Sequence, residues 1–202
     1  MIAIIDYGMG NLRSVQKAFE VCGAKPKITD KPRDIEKADK IILPGVGAFW
    51  AAMQELRKRR LIAPIKNKIA SGAPYLGLCL GLQLLFDESE EGRAKSNVRG
   101  LGILPGTVKL FKGKFKIPHM GWNDVEFLRS NPLFKGIESG EKFYFVHSYF
   151  AVPKEKSVVL TETPYGGRFC SAVWKDNIFA TQFHPEKSQG SGLKVIRNFI
   201  RL

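Results

Sequence analysis

Short apolar runs and amphipathic segments alternate through the first half of the chain. IAIID at 2–6, KIILPG at 40–45 and the start of PYLGLCLGLQLLF at 74–86 are nearly continuous in hydrophobic residues. That is how strands buried on both faces read. Between them, VQKAFEVC at 15–22, FWAAMQELRKR at 49–59 and IAPIKNKIA at 62–70 carry the mixed pattern of helices with one buried face. The alternation predicts a parallel sheet with helices on both sides. After about residue 100 the pattern changes. LGILPGTVKLF, FYFVHSYFAV, SVVLTET, FCSAVW and IFATQF are rich in β-branched and aromatic residues, and the last two are joined by KDN at 175–177. These runs predict antiparallel strands added to the same core. A closing helix fits GLKVIRNFI, with Leu193, Ile196, Phe199 and Ile200 on one face. The fold class expected is therefore α/β: an open, mostly parallel central sheet, helices on both faces, and antiparallel strands in the C-terminal half. No repeat, low-complexity tract or linker divides residues 1–202, so one domain is expected.

Composition narrows the setting. A chain of 202 residues can bury a core of ordinary size without disulfides or a structural metal. The three cysteines, Cys22, Cys79 and Cys170, are odd in number, far apart and in no Cys-x-x-Cys pair. A disulfide framework and a zinc ribbon are both disfavoured, no metal or cofactor is expected, and a reducing, cytoplasmic location follows. MIAIIDYGMG reaches an acid after its apolar run and has no basic leader, so it reads as a first strand rather than a signal peptide. No apolar run approaches the ~18 residues of a spanning helix. The formal charge of +13 suits an acidic partner surface, a phosphorylated ligand or nucleic acid and does not choose among them. The one tight basic run, RKRR at 57–60, ends a predicted helix, where cations face the dipole favourably. No nucleic-acid reading motif accompanies it.

The candidate chemistry begins at Cys79. Gly77-Leu78-Cys79-Leu80-Gly81 lies where a strand is expected to pass into a helix. A sharp turn of that kind crowds the backbone, so the residues two before and two after the central one must be small if its side chain is to stand clear. A helix start there would also favour thiolate over thiol. A glycine-flanked core cysteine satisfies the same pattern, so a partner is needed. His184 follows a strand-like run in FATQFHPEKS, and Pro185 stiffens the chain so that Glu186 can hold the imidazole. Alone, His-Pro-Glu is an ordinary surface turn; with the cysteine it becomes an acid/base pair for a nucleophile. The third element is LPGVGAF at 43–49, a strand end followed by glycines. Backbone N–H groups near Val46 and at Leu80 are expected to form an oxyanion hole for acyl transfer. The segment lacks the Gly-Lys-Ser/Thr ending of a phosphate loop.

These pieces in this order, PGVG, then GLCLGLQLLF, then HPEKS, resemble the class I glutamine amidotransferases across essentially the whole chain. DYGMGNLRSV, GRAKSNVRGLGILPGTVKLF, KIPHMGWN and FYFVHSYF narrow the resemblance to the glutaminase (HisH-type) subunits of imidazole glycerol phosphate synthases. The resemblance implies a triad of Cys79, His184 and Glu186, with Val46 and Leu80 giving the oxyanion N–H groups. It implies that Gly47, Gln83, Glu91, Ser148 and Tyr149 hold glutamine. It implies that Asn11, His119, Met120, Trp122 and Lys187 face a cyclase subunit (HisF-type), the heterodimer partner that would use the ammonia. Without it, Glu91 in DESEEG would read as a solvated acidic loop, and His119 and Trp122 as packing residues in a loop. An amidotransferase of another pathway, a cysteine peptidase, a DJ-1-like chaperone and a basic nucleic-acid module remain as alternatives. Glutamate release from free glutamine separates the first from the other three.

Overall fold

The computed structural model describes residues 1–92 and 97–202; residues 93–96, within the resembling stretch GRAKSNVRG, lie outside the described residues. The chain runs β1 (Ile2–Ile5), α1 (Leu12–Val21), β2 (Lys27–Thr29), α2 (Pro32–Lys37), β3 (Lys40–Gly45), α3 (Phe49–Lys58), α4 (Ile62–Ala70) and β4 (Tyr75–Cys79). It continues with α5 (Leu80–Gln83), β5 (Phe86–Ser89), β6 (Val98–Arg99), β7 (Leu104–Leu110), β8 (His119–Phe127), β9 (Glu141–His147) and β10 (Tyr149–Pro153). β11 (Val159–Pro164), β12 (Arg168–Lys175), β13 (Ile178–Thr181) and α6 (Gln189–Arg201) complete it.

Among the described residues the strands join in the order β2-β1-β3-β4-β13-β12-β10-β7-β5-β6, and β11 leads off β12 to β8 and β9. β2, β1, β3, β4 and β13 are mutually parallel; β13 with β12, β12 with β10 and β10 with β7 are antiparallel. The mixed architecture read from the pattern is therefore present, with the β12–β13 hairpin turning at Asp176 and Asn177.

The period of two along each parallel strand sends alternate residues to opposite layers. Ala3, Ile5, Ile41, Leu43 and Tyr75 pack on one face beneath α3 and α4, against Phe49, Ala52, Leu56 and Ile65. Ile4, Ile42, Leu76 and Leu78 pack on the other, against Val15 and Phe19 of α1 and Val195, Ile196 and Phe199 of α6. The α6 stripe is centred on Val195, Ile196 and Phe199, while the expected Leu193 and Ile200 lie at its partly buried margins. No described helix is long and apolar enough to cross a membrane.

Three local departures matter. Within KIPHMGWN, the residues from His119 onward form the start of β8 rather than a loop, because His119–Val125 pairs with β9 residue for residue. FYFVHSYFAV is two strands broken at Ser148. The helix expected after Cys79 is one turn, and the chain leaves it at Leu84 because Leu101, Ile103 and Leu104 donate to the carbonyls of Leu84 and Leu85. A single turn carries little macrodipole, so its field adds little at the sulfur.

Candidate active site

Cys79 pairs with Gly45 in the register of β3 and β4, and β13 runs parallel beside β4. The ends of all three strands therefore open on the same edge, which is where open α/β sheets hold their ligands. Cys79 takes φ +51° and ψ −101°, a conformation that side chains rarely adopt. The flanking glycines explain how it is reached. A Cβ on Gly77 would sit 2.6 Å from the Gly81 carbonyl oxygen, and one on Gly81 would collide with the carbonyl oxygen of Leu43. Neither position has room for a side chain.

His184 follows β13 by three residues, so its backbone is set by the same sheet, and its N–H donates to the Tyr144 carbonyl on β9 at 2.9 Å. Its Nδ1 donates to Glu186 Oε1 at 2.8 Å, with both side chains buried. Burial disfavours the charged imidazole. The charge of Cys79, then the Glu186 carboxylate, outweigh that and push His184 up to about 10. Nε2 of His184 nevertheless has no formed hydrogen bond. Cys79 is close enough to act on it electrostatically and is not aligned with it. Loose alignment of this kind is ordinary before substrate arrives.

A cavity of about 470 Å³ opens over the sulfur and is lined by Val46, Gly47, Cys79, Leu80, Gln83, Glu91, Ser148 and Tyr149 together with Ala48, Val146 and His147. Every residue read from the sequence as oxyanion backbone or glutamine contact thus borders one hollow. Glu91 Oε2 accepts the N–H of Phe49 at 2.8 Å, and burial raises its carboxyl despite that bond. Gln83 Nε2 donates to the Tyr149 carbonyl at 2.8 Å and to Gln182 Oε1 at 3.1 Å. Gln182 escaped the sequence reading. The signal was present, since it stands two residues before His184, the spacing that puts side chains of an extended segment on one face.

The residues read as partner-facing differ in exposure. Met120 is 58% and Trp122 45% exposed. Trp122 packs edge-on to Tyr144, over which the Lys187 ammonium also sits. Asn11 is exposed and caps α1 by accepting the N–H of Ser14 at 3.3 Å. His119 differs, being buried with its ring between Tyr165 and Phe145. A larger hollow, about 620 Å³, is bordered by Trp122 and the start of α6 and contains no thiol or imidazole.

The family model for class I glutamine amidotransferases matches residues 3–202. The chain belongs to the class I glutamine amidotransferase family. Its relatives include the imidazole glycerol phosphate synthase subunit HisH of Syntrophotalea carbinolica, 53% identical over 98% of each chain. The protein of the same name from Moorella thermoacetica is 53% identical over 98% of this chain and 93% of its own. PurLQS from Thermotoga maritima superposes with a TM-score of 0.76 over 99% of this chain and 97% of its own. At 22% identity that likeness speaks to the fold alone. For an amidotransferase of this family, a strained cysteine at a parallel strand end beside a histidine–glutamate pair is an arrangement able to attack an amide.

Proposed function

We propose that the chain is the glutaminase subunit of an imidazole glycerol phosphate synthase, hydrolysing glutamine and delivering ammonia to a cyclase subunit in histidine biosynthesis. The observation that carries this reading is the single hollow in which the elbow cysteine meets Val46, Gly47, Gln83, Glu91, Ser148 and Tyr149. The HisH relatives give the reading its pathway.

Glu91 receives the ammonium group of glutamine, while Ser148, Tyr149, Gly47 and Gln83 hold the rest of the substrate so that its side-chain amide carbon lies over the sulfur. Cys79 Sγ attacks that carbon, and the electron pair moves to the amide oxygen, which the N–H groups of Val46 and Leu80 stabilise. His184, protonated because its partners raise it, gives its proton to the departing nitrogen as ammonia leaves. The resulting thioester is attacked by water as His184 takes the water's proton. Glutamate departs and the thiolate returns. Glu186 fixes the imidazole tautomer through Nδ1 and transfers no proton.

Met120, Trp122, Lys187 and Asn11 contact the cyclase, with His119 packed behind the β8 segment that carries Met120 and Trp122. The test separates the two half-reactions. Cys79→Ala in the complex is expected to abolish glutamine-dependent synthesis and to leave synthesis from added ammonium salt intact at a pH that supplies free ammonia. Retained glutamine-dependent synthesis would sink the assignment of the nucleophile. Activation by a cyclase subunit of another pathway would sink the assignment of the partner.

A further inference from the structure

A continuous chain of hydrogen bonds runs from Asn123, beside the exposed Trp122, to the sulfur of Cys79. Asn123 Nδ2 meets His119 Nε2 at 3.1 Å, His119 Nδ1 meets His147 Nε2 at 3.0 Å, and His147 Nδ1 meets the Tyr149 carbonyl at 2.8 Å. The same carbonyl accepts Gln83 Nε2 at 2.8 Å. Gln83 Nε2 then reaches Gln182 Oε1 at 3.1 Å, and Gln182 Nε2 reaches Cys79 Sγ at 3.4 Å.

Every direction in the chain follows from one carbonyl, because Tyr149 O can only accept. His147 must therefore carry its proton on Nδ1 and present a lone pair at Nε2, so His119 must donate from Nδ1 and accept from Asn123 at Nε2. Likewise Gln83 must turn its amide nitrogen to Tyr149, which leaves Gln182 only its oxygen to face Gln83. The nitrogen of Gln182 is then fixed on the sulfur. Gln182 and His147 are both buried, so none of these groups can exchange its partner for bulk water without opening the core. Burial also holds both histidines neutral, which the assigned directions require.

We propose that Gln182 is a positioning residue for the nucleophile, holding the Cys79 sulfur with its amide, and that Gln83, itself turned by the Tyr149 carbonyl, fixes the polarity of that bond. The proposal deepens the reading of Cys79 as nucleophile and rests on it. A donor aimed at sulfur favours thiolate and keeps Sγ from rotating away from the substrate carbon.

The test reads the sulfur directly. The pH dependence of Cys79 alkylation by iodoacetamide is followed by mass spectrometry on the peptide bearing Cys79. The titratable groups facing Cys79 are His184, backed by Glu186, Tyr7 beyond the end of β1, and His147, Glu91 and Tyr149 around the hollow; Gln182→Met alters none of them. Gln182→Met, which keeps the volume and removes the donor, is expected to raise the alkylation midpoint by about one pH unit. Its kcat for glutamine hydrolysis should fall about tenfold with KM unchanged. Gln182→Glu keeps the shape and serves if the methionine variant fails to fold; its midpoint should rise at least as far. A folded Gln182→Met or Gln182→Glu with an unshifted midpoint overturns the proposal. Cys79→Ala tests the underlying reading separately, since loss of that reading leaves the alkylation result untouched.

Discussion

Replacing Cys79 by glycine and by alanine measures the strain held at the elbow. With φ at +51° and ψ at −101°, any residue bearing a Cβ stands in a sparsely populated region, at a cost of about 1–3 kcal/mol. Alanine keeps that cost and glycine removes it. Against this, glycine gives up ~0.5–1 kcal/mol of backbone entropy and one buried methyl worth ~0.8 kcal/mol. At an unstrained buried position these losses make glycine about 1.5 kcal/mol worse than alanine. At position 79, with strain near 2 kcal/mol, the two variants should come out level or glycine slightly ahead. The control is Ala180→Gly on the neighbouring strand, fully buried opposite Gly77 and expected to show the ordinary loss. Urea unfolding supplies the numbers. With m of about 2 kcal/mol per molar, the ~2 kcal/mol swing separates the outcomes by about 1 M in midpoint. A Cys79→Gly variant less stable than Cys79→Ala by as much as the Ala180→Gly loss would refute the strained elbow.

The buried histidines make stability depend on pH in two directions. Burial lowers His147 to about 3 and His119 to about 4, so the unfolded chain binds protons that the folded chain refuses. Stability should fall below pH ~6.5, by about 1 kcal/mol per unit from His147. His184, raised to about 10, contributes stability that is complete below pH ~6.5 and is lost as pH rises through 10. Denaturation at pH 5, 7 and 9 should therefore peak near neutrality, and a flat series would contradict both assignments. Gly81→Ala, which collides with the Leu43 carbonyl, should cost about 1–3 kcal/mol or more and remove activity. Gly72→Ala meets open space and only the strain of φ +86°, so thermal unfolding should separate the two; equal losses would mean that the elbow can spread. Glu186→Gln should retain more glutaminase activity than Cys79→Ala, and equal loss in folded protein would assign the carboxylate a direct part in proton transfer.

The parallel core was legible because its strands are buried on both faces and separated by amphipathic helices, so local pattern and tertiary burial agree. The elbow was legible for a similar reason: the steric demand falls on Gly77 and Gly81, within two residues of the cysteine. What escaped depended on distant partners. LGLQLLF has the composition of a helix, yet Leu84 and Leu85 give their carbonyls to residues 101–104, and no local signal announces that exchange. His119 looked like a loop residue until β9 supplied the strand beside it. The orientation of Gln182 is decided by Gln83 and Tyr149, and composition says nothing of such a triangle.

The position of β13 gives the amidotransferase a clock. Gln182 lies 103 positions after Cys79, yet β13 is the strand wedged between β4 and β12. During synthesis Cys79 leaves the ribosome long before β13 and the residues just after it, Gln182 and His184, which are proposed to act on the sulfur. Closing so long a loop comes late in assembly. Until then the thiol has neither imidazole nor sheet to sharpen its turn, and behaves as an unremarkable cysteine. If Cys79 is the nucleophile proposed above, its reactivity arrives only with the segment after β13, and a chain cut before that segment should hydrolyse no glutamine.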